Sequence, residues 1–174
     1  MFSWSYNYGR GEESLPVIDA LGTGADGHIF DIEAEFASAD HPYNAARRLM
    51  DQVQRRYPDK PLAYSPLPVV SNFPALPYTT LNSWTAAAMP QFYTKALGSG
   101  TNYPLERLIR IWREWQARWL SPARAVIPVL QGYGAQTAMN LGAEARVCMR
   151  EYGGFSVWRW DTLTPEMWEA IRNV

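Results

Sequence analysis

Asp26-Gly27-His28-Ile29-Phe30-Asp31-Ile32-Glu33-Ala34-Glu35-Phe36 is the stretch on which the reading of this chain turns. Its apolar, β-branched and aromatic content after Asp-Gly predicts a strand over residues 28–36. Side chains alternate along a strand, so Asp31, Glu33 and Glu35 fall on one face and Phe30, Ile32 and Ala34 on the other. A buried parallel strand normally reads as a continuous apolar run, and three carboxylates on one face would repel and be poorly solvated. Their cost is tolerable where a strand's C-terminal end opens into a cleft, the place where barrel enzymes put their chemistry. Crowded carboxylates acquire separated pKa values, so one holds a proton near neutral pH while another stays ionised. Glycoside hydrolysis needs that division of labour. A solvated strand end, carboxylates paired with arginine, and a hard cation held by the three oxygen ligands are the competing readings.

Outward from this strand, short apolar segments alternate with longer amphipathic ones, the pattern of parallel βα units. Strands are predicted over residues 2–8, 28–36, 61–65, 86–93, 125–130 and 155–160, about six in all. Helices are predicted over residues 12–21, with Glu12 and Glu13 in the first turn, and over 43–57. Two more follow over 104–120 and 138–151, and a short one after Thr164-Pro165. Helix 104–120 carries Leu105, Leu108, Ile109, Trp112, Trp115 and Trp119 at helical spacing, a face that packs on the sheet. A proline-rich loop after residue 65 is either a wall of the site or a replacement for a helix. With 174 residues, no linker and no charge block, residues 1–174 read as a single domain.

Composition narrows the function. The formal net charge of −1 gives no reason to expect nucleic acid or an anionic membrane as partner. The single cysteine, Cys148, excludes an intrachain disulfide and reads as a core thiol. There is no metal-ligand spacing of Cys and His, so neither metal nor cofactor is expected. The N-terminus has no signal-peptide pattern and no apolar run is long enough to span a bilayer. A soluble protein is expected, with cytoplasm and virion both open as its location. Aromatics make up 14% of the chain, which suits either a heavily packed core or rings that stack on sugars. His28 and His41 read as ordinary, and Gly22-Thr23-Gly24 as a turn.

The acidic stretch resembles the end of the fourth-strand motif DGxDxDxE of chitinase-like family 18 glycoside hydrolases, departing from it at Ile29, where the motif has its first Asp. The Asp-x-Glu is also similar to the corresponding strand of family 25 lysozymes. The resemblance implies that Glu33 is the general acid. It implies that Asp31 orients the reacting group or stabilises positive charge, and Glu35 would bind sugar hydroxyls or share the proton. Ala88-Met89-Pro90-Gln91-Phe92-Tyr93 resembles the Met-x-Tyr sixth strand, which puts Gln91 and Tyr93 against substrate. Gly153-Gly154-Phe155-Ser156-Val157-Trp158-Arg159-Trp160-Asp161 resembles the eighth strand, with Trp158 and Trp160 on one face as a sugar floor.

The whole chain also looks like glycosidase-like barrel proteins of bacteria and phages. In these, Ala63-Tyr64-Ser65, Met89-Pro90-Gln91 and Gln131-Gly132-Tyr133-Gly134 would mark strands five to seven and add Tyr64 and Gln131 to the site. The implied fold is a partial (β/α)8 barrel lacking its first two units. Six parallel strands cannot close with eight-stranded geometry, and open edges expose unpaired backbone. The expectation is therefore a fragment, or edges covered by self-association or by a partner chain. The expected activity is hydrolysis of a cell-wall or N-acetylated polysaccharide. A non-catalytic barrel remnant, serving as a structural or sugar-binding subunit of a virion or cell surface, is the alternative.

Overall fold

The computed structural model describes residues 1–10, 13–95 and 103–174. The protein is α/β, with mostly parallel strands in one five-stranded and one three-stranded sheet. In chain order the elements are β1 (Phe2–Asn7), α1 (Ser14–Gly22), β2 (Gly27–Ile32), α2 (Ala34–Ala37), α3 (Pro42–Arg56) and β3 (Leu62–Pro66). They continue as α4 (Tyr78–Trp84), β4 (Ala87–Ala88), β5 (Gln91–Phe92), α5 (Leu105–Trp119), β6 (Ala125–Val126) and β7 (Val129–Gln131). The last are α6 (Ala138–Tyr152), β8 (Ser156–Trp158) and α7 (Pro165–Arg172). The larger sheet has the order β1-β2-β3-β4-β6 and the smaller β5-β7-β8.

The expected fourth strand is interrupted at Pro90 and the expected fifth at Pro128, because proline has no N–H for the ladder. The backbone still runs on through both breaks. Met89 N–H donates to Tyr64 O at 2.7 Å, Ile127 N–H to Ala88 O at 2.9 Å and Val129 N–H to Pro90 O at 2.9 Å. At the far end, Trp4 of β1 lies against Trp158 of β8 with ring centroids 4.6 Å apart. The first and last strands thus face each other across a pair of tryptophans.

Alternation sorts the strand residues into two apolar clusters. Phe30, Ile32, Leu62, Tyr64 and Ala88 join the main core with residues of the helices, including Val17, Leu49, Met50, Val53, Leu108 and Trp112. Ala63, Ala87, Met89, Tyr93 and Val129 form a smaller cluster, with Ile29 and Trp158 packed against it. In β1 the same rule acts on Ser3-Trp4-Ser5-Tyr6: the serines meet His28, and the aromatics turn to the other side. Ser3 Oγ lies 2.7 Å from His28 Nδ1 and Ser5 Oγ 2.8 Å from His28 Nε2. Burial pushes the imidazole down to about 4. His28 is thus a neutral core residue, in keeping with its ordinary reading.

The helices follow the apolar spacing, with local differences. In α5, Leu105, Leu108, Ile109 and Trp112 are buried and Trp115 packs on the core, but Trp119 in the last turn is 58% exposed. Cys148 is a buried thiol in α6, pushed up to about 12 by burial. The proline-rich segment holds the 3-10 turn Val70–Asn72 and leads into α4, so it precedes a helix and does not replace one; Tyr78 and Leu81 of α4 are buried in the main core. α1 begins at Ser14, and Glu13 does not lie in its first turn. The Glu13 carboxylate turns back to accept N–H bonds from Tyr8, Gly9 and Arg10. Glu12 lies outside the described residues.

Candidate active site

β2 delivers the decisive side chains to its own C-terminal end. The strand stops at Ile32, earlier than expected, and Glu33 becomes the residue preceding α2. Asp31 and Glu33 keep the shared face that alternation predicts, but Glu35 does not stand on a strand at all. It sits in α2, exposed, because the chain turns into helix one residue after Glu33. The trio is therefore a pair plus a satellite.

The pair is joined by Gln91 of β5. Its side-chain nitrogen donates to Asp31 Oδ1 at 2.7 Å and to Glu33 Oε1 at 2.9 Å, and lies 3.4 Å from Ser65 O. One neutral amide thus holds two carboxyl groups close together without neutralising either. Among the described residues no ion pair includes Asp31 or Glu33, which sets aside the arginine-paired alternative. Asp31 is 7% exposed. Burial, and next the charge of Glu33, push its carboxyl up to about 8, against the opposing pull of the Gln91 bond. It therefore keeps its proton near neutral pH. Among the described residues no group of three or more potential metal ligands comes together.

Three tyrosines surround the pair. Tyr93 is buried; burial, followed by the charge of Asp31, drives its phenol far upward, so it remains a hydrogen-bond donor. Its ring meets that of Tyr133 edge-on at 5.9 Å. Tyr6 of β1 is in register with Asp31. Its hydroxyl donates to Glu35 and lies 3.5 Å from Glu33 Oε2. Burial and the Glu35 bond push this phenol up as well. Sequence reasoning had not placed Tyr6 or Tyr133 at the site. For Tyr6 the available signal was the Ser-Trp-Ser-Tyr alternation, which puts it on the face of Trp4; its register with Asp31 needed the sheet.

The remaining expected site residues separate. Gln91, Tyr93 and Glu35 lie at or beside the pair. Tyr64 does not: it is 0% exposed, in register with Phe30 on the helix side, one residue out of phase with Ala63 and Ser65. Gln131 is buried and engaged with backbone. It donates to Tyr133 O at 2.9 Å and accepts Lys95 N–H at 3.0 Å, so it braces the loops after β5 and β7. Trp158 packs against the smaller apolar cluster. Trp160 leaves it, because β8 ends at Trp158 and residues 160–162 form a 3-10 turn that leaves Trp160 68% exposed.

A groove of about 830 Å³ opens at Glu35, lined among others by Tyr8, Arg10, Asp40, His41 and Arg48. Glu35 is the residue shared by the groove and the Tyr6 hydrogen bond. Among the described residues no helix is long and apolar enough to cross a membrane. No protein-family model matches the chain, and no curated protein matches it.

Proposed function

We propose that the chain is a glycoside hydrolase acting on a cell-wall or N-acetylated polysaccharide, built on a partial barrel of parallel strands. The Trp4–Trp158 contact supports the barrel reading, since it brings the two ends of the strand series together. The observation that carries the function is the convergence of Asp31 and Glu33 on the single donor Gln91, at a strand end, with no cation beside them among the described residues. A folding scaffold gains nothing from this arrangement, because burying a carboxyl without a countercharge is costly.

In this reading the proton that Asp31 holds near neutral pH passes to Glu33, the less buried of the two, which gives it to the leaving glycosidic oxygen as the glycosidic C–O bond breaks. The Asp31 carboxylate left behind stabilises the positive charge that develops on the sugar, and water then adds to the anomeric carbon and returns a proton to the pair. Gln91 holds the spacing. Tyr93, Tyr6 and Trp158 line the approach of the saccharide. The test is release of reducing sugar from peptidoglycan and chitin by wild type and Glu33→Gln. The variant is expected to lose about 100-fold or more in rate, the usual contribution of a general acid. Equal rates, or no release by wild type on either polymer, would overturn the assignment.

One observation favours a non-catalytic, sugar-binding subunit instead: the large groove is lined by Glu35 but by neither Asp31 nor Glu33. Saccharide binding without turnover in the same assay would select that reading. We also propose that a second copy or a partner chain covers the seam at β1 and β8, where Phe2 and Trp4 are exposed. Light scattering that finds only monomer at all concentrations would remove it.

A further inference from the structure

We infer that the groove lined by Glu35 binds an acidic saccharide, with Arg10 and Arg48 holding its carboxylate; the inference rests on the glycosidase reading of the carboxyl pair. Arg10 is held in place from below. The Glu13 carboxylate fixes the backbone N–H groups of Tyr8, Gly9 and Arg10, with the last two bonds both at 3.0 Å. Gly9 adopts φ +76°, and a Cβ there would come within 2.6 Å of the Ala39 side chain, so the loop is pressed against the segment after α2. Above this loop the Arg10 guanidinium lies over the Tyr8 ring, 4.9 Å from its centroid. A stacked guanidinium keeps its N–H edge available for a planar carboxylate.

Arg48 comes from the second turn of α3, on the same side as Ala45, which also lines the groove. Among the described residues neither arginine makes an ion pair. Exposed opposite charges do pair elsewhere, as in Arg55–Asp51 and Arg159–Asp161. Here Glu35 and Asp40 line the same groove without closing a bridge to Arg10 or Arg48. Carboxylate side chains accept hydrogen bonds from sugar hydroxyls, and guanidinium groups take a sugar carboxylate. A neutral glycan would use only the first set of groups. A uronic-acid-type saccharide uses both, and Glu35 ties its position through Tyr6 to Glu33.

The experiment uses two N-acetylated tetrasaccharides of equal length, hyaluronan-derived (acidic) and chitin-derived (neutral). Binding is measured by calorimetry at low and high salt with Glu33→Gln, which prevents turnover, and with the same protein carrying Arg10→Ala and Arg48→Ala. The expected result is about tenfold tighter binding of the acidic probe, equivalent to one good charge contact. That preference should shrink in high salt and disappear with both arginines removed, while Arg10→Lys with Arg48→Lys retains part of it. Equal affinity for the two probes, or a preference that survives loss of both arginines, overturns the inference. Acidic preference together with turnover indifferent to Glu33 would leave the groove assignment standing and remove the catalytic one. Glu33-dependent turnover without preference would do the reverse.

Discussion

Asp31→Asn should make the protein more stable, and increasingly so as pH rises. The folded carboxyl is pushed up to about 8 from an ordinary value of 3.8. Below pH 3.8 it is protonated in both folded and unfolded chains and exerts no pH-linked effect. As pH rises toward 8, the unfolded carboxyl ionises while the folded one retains its proton, so folding loses about 1.4 kcal/mol per pH unit. At pH 7 the accumulated penalty is about 4 kcal/mol, and it levels off above the folded pKa. Asparagine never ionises, and its oxygen can still accept the bond from Gln91. The gap between variant and wild type should therefore be near zero at pH 4 and approach that full penalty at pH 7. For a chain of this size it amounts to about 10 °C in Tm. Thermal unfolding followed by circular dichroism from pH 4 to pH 8 measures it. Packing differences displace the two curves by a constant, so the slope is the test. Parallel curves would show that Asp31 is not held protonated by burial and by Glu33, and the argument for a proton-handling pair would lose its base.

Gln91→Leu removes the one donor shared by Asp31 and Glu33, and urea unfolding should report a loss of about 1–3 kcal/mol. His28 has the opposite linkage to Asp31. Its folded pKa of about 4 lies below the ordinary 6.5, so stability is full above pH 6.5 and falls by up to about 3 kcal/mol as pH drops toward 4. His28→Gln should flatten this acid limb in the same unfolding series. Gly9→Ala should cost about 1–3 kcal/mol because it combines positive φ with a clash at Ala39, again read by urea unfolding. Trp112→Ala, which empties the largest fully buried side chain, should cost about 3–5 kcal/mol by calorimetry.

Local sequence sufficed where the information was itself local. Alternating polarity placed Asp31 and Glu33 on one face, because the pleat has period two whatever the rest of the chain does. Apolar spacing marked α3, α5 and α6, and the parallel α/β class followed from the alternation of short and long segments. The ends of elements were less legible. Glu35 belonged with the pair only if β2 ran to Phe36, and nothing in Glu-Ala-Glu says that the strand stops at Ile32. Trp160 was misplaced for the same reason at the end of β8.

Tertiary structure alone decided which face of each strand looks where, and what each polar group meets. Tyr64 and Ser65 are neighbours in sequence, yet their placement on opposite faces sends the first into the helix-packed core and brings the backbone of the second near Gln91. Gln91 reaches Asp31 across 60 positions of sequence and Tyr6 reaches Glu35 across 29. No local preference encodes such contacts, since they exist only once parallel strands are in register. The proton on Asp31 depends on them too: a carboxyl's pKa is set by its burial and its neighbours' charges, and those arise from the packing of distant segments.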